Sequence, residues 1–188
     1  MARFIDTLEP RSRRLRFHGG IAQCPLALAR RMTESDAASN RVWVACVLCD
    51  DVELIVAEAR WVVVDEYGLH AELAICVADA WQGSGLADRL MAEILATAAW
   101  AQIGFLDAEV LAENGRMLAF MQRHGFDAEL HAEDGDGIVR LCRPVCAPLR
   151  APFRARAGVA DRPRGLWHRL RAAGARVMPS NLAAGRAN

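Results

Sequence analysis

The chain has 188 residues, no net charge at neutral pH and 53% hydrophobic residues, enough for one domain with a real core and at most an appended tail. A bilayer-spanning helix is excluded, because the longest nearly uncharged stretch, 94–106, is short and broken by Thr97, Gln102 and Gly104. The opening "MARFIDTLEP" carries Asp6 and Glu9 and lacks the apolar run of a secretory signal, which reads as a cytoplasmic protein.

The neutral total conceals an asymmetry. Residues 1–146 hold 14 Arg against 22 acids, a net of −8, and residues 147–188 hold 9 Arg against Asp161, a net of +8. Every basic residue is arginine. Six cysteines sit at 24, 46, 49, 76, 142 and 146. The "CVLC" pair has redox or zinc spacing, but it lies in a strand-like run, where residues three apart point to opposite faces. The cysteines therefore read as reduced, mostly buried thiols, and no metal site is expected.

In chain order, "FIDTLEPRSRRLRFHGG" predicts a short helix ending at Gly19–Gly20, and "CPLALARRMTES" a second. "NRVWVACVLCD" and "VELIVAEARWVVVD" are β-rich runs joined by a tight turn at Asp50–Asp51. "LHAELAICVAD" is a third strand, after a turn at 66–68. A glycine turn follows, then a helix over about 86–101 whose polar residues Asp88, Arg89, Glu93 and Thr97 form one stripe, with the rest of its surface buried. "IGFLDAEVLAE" is a fourth strand. "NGRMLAFMQRHGF" is a helix capped by Asn114, burying Met117, Phe120 and Met121, and ended by Gly125. "DAELHAEDGDGIVRLCR" is a closing hairpin. The order ααβββαβαββ describes a mixed α/β domain around one sheet. Residues 1–146 are read as that domain. Residues 147–188 are read as an Arg/Pro/Ala-rich basic tail without regular structure.

The turn "WQGSGLA" carries the chemistry. A glycine-rich turn opening a helix points unpaired N–H groups into one concavity, where the helix dipole adds positive character, so phosphate can bind without a lysine. Gly83 and Gly85 permit positive φ and close approach. Leu86 and Ala87 stand where a nucleotide-triphosphate loop needs Lys, and the third glycine of a dinucleotide fingerprint is absent.

"AELAICVADAWQGSGLADRLM" resembles the acyl-CoA-binding core of the GNAT-type N-acetyltransferases, with Gln82, Gly85 and Ala87 matching its loop. "AENGRMLAFMQRHGF" is similar to the later motif of that family, with Asn114, Gly125 and Phe126 in place. "PRSRRLRF" and "ENGRML" look closer to the acetyltransferase domain of bacterial Pat-type protein lysine acetyltransferases. The resemblance implies a mixed central sheet with helices on both faces. It also implies acetyl-CoA as co-substrate, held by backbone amides of Gln82, Gly83, Ser84, Gly85, Leu86 and Ala87, with Asn114 as a further contact. The Val77 N–H would polarise the thioester. Glu72, five residues earlier, would serve as the base for a neutral amine, its pKa raised by apolar neighbours. Two departures stand out. The family's N-terminal edge strand is short or missing, and Met121 occupies the position of its general-acid tyrosine, which Pat-type domains also tend to lack. The five histidines are read as structural or exposed.

The expectation is an acetyl-CoA-dependent N-acetyltransferase acting on an amine, with a protein lysine as one candidate acceptor, by direct attack in a ternary complex. A small-molecule amine acetyltransferase and a non-catalytic acyl-CoA sensor are the alternatives. The Arg tail allows salt-sensitive attraction to nucleic acid or membranes at most. Oligomeric state stays open, a homodimer being one arrangement.

Overall fold

The computed structural model describes residues 1–36, 39–128 and 137–145, and the backbone of 175–179. Two short helices come first, α1 (Ala2–Thr7) and α2 (Pro10–Phe17), followed by α3 (Leu26–Arg31). The single opening helix expected from sequence is split at Leu8–Glu9, where both residues are extended and Pro10 starts the next helix. Proline suits that first-turn position because its missing N–H would be unpaired anyway. Strands β1 (Asn40–Cys49) and β2 (Val52–Val63) form a hairpin. Asp50 and Asp51 both take positive φ at its turn, matching the twist of the two strands.

Then come β3 (His70–Val77), a 3₁₀ turn at Asp79–Trp81, α4 (Leu86–Trp100), β4 (Phe105–Leu111), α5 (Gly115–Arg123), β5 (Asp127–Ala128) and β6 (Ile138–Pro144). A last strand, β7 (Ala175–Pro179), lies within the segment read as an unstructured tail. It pairs antiparallel with β1. The sheet order is β5-β6-β4-β3-β2-β1-β7, so the edge beyond β1 is covered from the C-terminal side. The turn expected at 134–137 lies largely outside the described residues.

All neighbours pair antiparallel except β3 and β4. Those two join by the α4 crossover and pair only at His70–Phe105, Ala71–Leu106 and Glu72–Asp107. Beyond Glu72 they diverge.

Helices cover both faces. On one, α4 and α5 bury Leu86, Leu90, Met91, Ile94, Phe120 and Met121 against Trp61, Leu73, Ile75, Leu106 and Val110. On the other, α1 and α3 bury Phe4, Ile5, Leu8, Ala29 and Met32 with Cys76. Each fully buried aliphatic of this kind contributes about 1.5–3 kcal/mol. The stripe expected on α4 is corrected: Asp88, Ala92, Ala96 and Trp100 are its exposed row, whereas Arg89, Glu93 and Thr97 are half-buried. Thr97 turns toward the sheet and accepts a hydrogen bond from Trp61 Nε1 at 3.2 Å. Alanines spaced four apart leave an exposed row that polarity alone does not reveal.

Two outcomes are expected. Cys24, Cys46 and Cys76 are buried and Cys49 is exposed. Burial pushes the Cys46 thiol up to about 11 and the Cys76 thiol up to about 12, so little thiolate exists there at neutral pH. A disulfide reagent at neutral pH, read by peptide mass mapping, should label Cys49 first and reach these three thiols only in denaturant. Equal labelling of Cys76 and Cys49 in the native protein would contradict this packing. Deleting residues 175–188 should bare the β1 edge and increase self-association over the full chain in sedimentation velocity. Identical behaviour would show that β7 does not protect that edge.

Candidate functional site

The turn after β3 is shaped by two backbone conformations. Gly83 (φ 79°) and Gly85 (φ 83°) both lie in the left-handed region, and a Cβ added to either would meet no atom within 4 Å. The glycines therefore answer a conformational demand, and the space beside them is open. Gly85 is the N-cap of α4 and, having no side chain, offers no cap to the first-turn N–H groups. Such groups, at the positive end of a helix, suit an anion. Asp88 in the same turn would repel one. Burial pushes its carboxyl up, but Arg123 and His124, each 2.9 Å away, outweigh that and hold it below the usual range with its charge offset.

A cavity of about 610 Å³ opens over this turn. Val77, Gln82, Gly83, Gly85, Leu86, Ala87 and Asn114 line it. Ser84 does not; its hydroxyl donates to the Trp81 carbonyl at 2.6 Å. Sequence reasoning also missed the cations. Arg11, Arg16, Arg116 and Arg123 line the same cavity, together with the carboxylates of Glu9, Asp79, Asp88 and Glu113, so its charge is not set by backbone alone. No local spacing marks them, because they reach the cavity from α2 and α5. Arg116 donates to Gln82 Oε1 at 2.6 Å, and Gln82 Nε2 donates to Asp79 Oδ1 at 3.1 Å. Asp79 also accepts from the Glu9 N–H at 2.9 Å and the Ser12 hydroxyl at 2.5 Å. One carboxylate thus fastens the start of α2 to the loop.

The backbone between the diverging strands is the second element. Ala78 N–H donates to Val56 O on β2 at 2.8 Å. Successive groups on a strand alternate sides. The N–H groups of Leu73, Ile75 and Val77 therefore point toward β4, whose pairing has ended by then. A second cavity, of about 270 Å³, occupies this gap, walled by Glu72–Ile75, Ala108–Val110, Leu15–His18 and Met121. It shares Leu15, Arg16, Ile75, Asn114 and Met117 with the larger cavity, so the two adjoin.

Glu72 and Glu109 bring two carboxylates to the smaller cavity. Glu72 is exposed, so the desolvation expected of it from apolar neighbours is not supplied by the protein. Those neighbours, Ala71 and Leu73, turn to the other face of the sheet and are buried there. Asn114 both lines the cavities and caps α5, accepting from the Met117 N–H at 3.2 Å. Met121, at the position of the family's tyrosine, presents no hydroxyl, and Tyr67 is 77% exposed in the β2–β3 turn. Among the histidines, His18 lines the smaller cavity. His70 stacks on Phe105 and meets Asp107 at 2.7 Å, and His124 meets Asp88. His131 and His168 lie outside the described residues.

No helix among the described residues is long and apolar enough to cross a membrane. Comparison with curated proteins gives no sequence match. Among solved structures, the chain is similar to the GNAT domain of S. lividans PAT, at 26% identity over 76% of this chain and 82% of that one, with a TM-score of 0.68. It is also similar to a cAMP-binding acyltransferase from Mycobacterium smegmatis, at 26% identity and a TM-score of 0.51. That match covers 77% of this chain but only 43% of the acyltransferase. A domain from Methanocaldococcus jannaschii shares the fold alone, at 9% identity and a TM-score of 0.58 over 75% of this chain and 88% of that domain. Residues 38–128, from the β1 edge through the loop and α5, match the acetyltransferase (GNAT) domain family. The parted strand pair and the glycine loop lie inside that matched stretch, and the fold is that of the GNAT acetyltransferases.

Proposed function

We propose that the domain transfers an acetyl group from acetyl-CoA to a primary amine, with a protein lysine as the acceptor class. The observation that carries this reading is the junction of the two cavities at the open edge of β3. One cavity has a glycine loop, a helix N-terminus and arginines for the diphosphate. The other has two carboxylates for a cationic acceptor. Acetyl-CoA supplies the activated acyl group. The loop amides from Gln82 to Ala87 hold its diphosphate, with Arg116 beside them and Asn114 as a further contact. The edge of β3 pairs with the pantetheine arm, and the Val77 N–H stabilises the oxyanion that develops as the amine attacks. Glu72, directly or through a water, takes the proton that makes the amine nucleophilic. Protein lysine is preferred over a small amine because "PRSRRLRF" and "ENGRML" resemble Pat-type domains. The likeness to the S. lividans PAT domain extends over most of both chains. Free thiols among the described cysteines suit a cytoplasmic setting. Residues 1–146 are the proposed catalytic unit, to which the tail adds β7.

Met121 at the tyrosine position supports a second reading, a domain that senses acyl-CoA without turnover. Glu72→Gln separates the two. As an enzyme, the variant should lose about 10²–10⁴-fold in kcat while calorimetry gives an unchanged coenzyme A affinity. A wild type that binds coenzyme A but releases no thiol across a panel of amines, peptides and proteins would leave the sensor. Gly85→Val addresses the cradle. Its φ of 83° is strained for any L side chain, and a Cβ would project into the cavity mouth. Coenzyme A affinity should fall at least about tenfold, equivalent to about 1.4 kcal/mol. Unchanged affinity in a folded variant would place the diphosphate elsewhere.

A further inference from the structure

The proposed reaction leaves one atom without an assigned partner. As the carbon–nitrogen bond forms and the carbon–sulfur bond breaks, the sulfur departs with the bonding electron pair. The side chains around the junction include no phenol to protonate it. The one hydroxyl among the described lining residues, on Ser12, is engaged with Asp79.

Arg16 stands at that place. Among the described residues it is the only arginine that lines both cavities, and its side chain is 15% exposed. Its Nη2 is 3.3 Å from Glu58 Oε2. Glu58 is fully buried on β2, and its other oxygen meets Arg60 Nε. Arg60 reaches on to the Met32 carbonyl at 3.0 Å. Two guanidiniums thus share one carboxylate, and the cluster retains a net positive charge beside the reaction site. Glu58 lies opposite Cys76 in the β2–β3 register, one residue before Val77. Arg16 Nε is buried and has no hydrogen-bond partner.

Building on the acetyl-transfer reading above, we propose that Arg16, held in place by Glu58, is a catalytic residue that stabilises the departing coenzyme A thiolate by its charge. The acceptor ammonium gives one proton to Glu72, which passes it to solvent, and the free amine attacks. The nitrogen loses its second proton to the same carboxylate as the amide forms, the thiolate leaves as an anion beside the guanidinium, and solvent protonates it on release. No general acid is then required. A thiolate needs less help than an alkoxide or amide ion, since an ordinary thiol ionises near pH 8.5. The field of Arg16 already reaches the neighbouring Cys76 sulfur, where it favours the thiolate against the larger opposing effect of burial. The charges that oppose it there are Glu58 and Asp79. Glu72, Glu109 and His18 face the smaller cavity, and Arg60 adds to the positive side.

The test follows the ultraviolet absorbance of the thiolate through a pH titration of the full chain saturated with coenzyme A. The desulfo-coenzyme A complex is subtracted to remove the protein's own cysteines. The bound thiol of Arg16→Gln should titrate about one pH unit or more above that of the wild type. The thiol in Arg16→Lys, which retains the charge, should stay near the wild-type position. Acetyl transfer by Arg16→Gln should fall roughly 100-fold in kcat with little change in the KM for acetyl-CoA. Coenzyme A binding with the same thiol titration in wild type and Arg16→Gln would overturn the role of Arg16 and leave the acyl-CoA reading standing. If Arg16→Gln fails to fold, Arg16→Lys carries the test, and a bound thiol in it titrating at or above that of free coenzyme A overturns the proposal. Absence of coenzyme A binding to the wild type would defeat the acyl-CoA reading itself and the proposal with it.

Discussion

Two parallel strands that stop pairing halfway along impose the constraint on which this structure depends. A buried backbone donor without a partner is expensive, and sheets normally leave none in their interior. Here β3 and β4 pair at three positions and then part, so the N–H groups of Leu73, Ile75 and Val77 point into a gap between central strands. The gap is sustained because both strands are anchored elsewhere. β3 stays paired with β2 from Ala71 to Val77, and β4 with β6 along its whole length. The α4–α5 layer buries the face beneath them. The edge of β3 beyond Glu72 is thus left with outward-pointing N–H groups that β4 does not pair.

What surrounds the gap follows from chain connectivity. The α4 crossover needed to make β3 and β4 parallel places the positive end of a helix at the mouth of the gap. The loop feeding that helix must turn sharply, hence Gly83 and Gly85 in left-handed conformations. Helix α5 starts at the far side of the same mouth, with Asn114 as its cap. α2 crosses the opposite face, pinned by Asp79 at its start and by the Arg16–Glu58 pair near its end. Glu58 is fully buried between the two guanidiniums, and removing its arginine partners would strand its charge, which for a buried pair costs about 3–5 kcal/mol.

Features that depend on local backbone demand were legible in the sequence. The paired glycines, the Asn114 cap, the Gly125 stop and the β1–β2 turn are each set by a few adjacent residues, and the fold class followed from their order. Features set by distance were not. Arg116 meets Gln82 across 34 positions and Arg16 meets Glu58 across 42, and nothing in the local sequence around an arginine says where its guanidinium ends. The split between α1 and α2 carried a readable signal in Pro10, overridden by continuous helical character on both sides. β7 had no such signal, since five residues in an Ala- and Arg-rich stretch become a strand only because β1 offers an open edge. The exposure of Glu72 is decided by how much of its sheet face the helices cover, since β4 is still paired at that position, and no spacing on β3 encodes that.

The carboxylate of Asp79 ties together two segments that are distant in the chain. Through Glu9 and Ser12 it fixes the start of α2, which lines both cavities, and through Gln82 it fixes the glycine loop beside the larger one. Helix and loop therefore share a hinge pin. A substitution that displaces this carboxylate loosens both walls at once, so the shapes of the two cavities are not free to change independently.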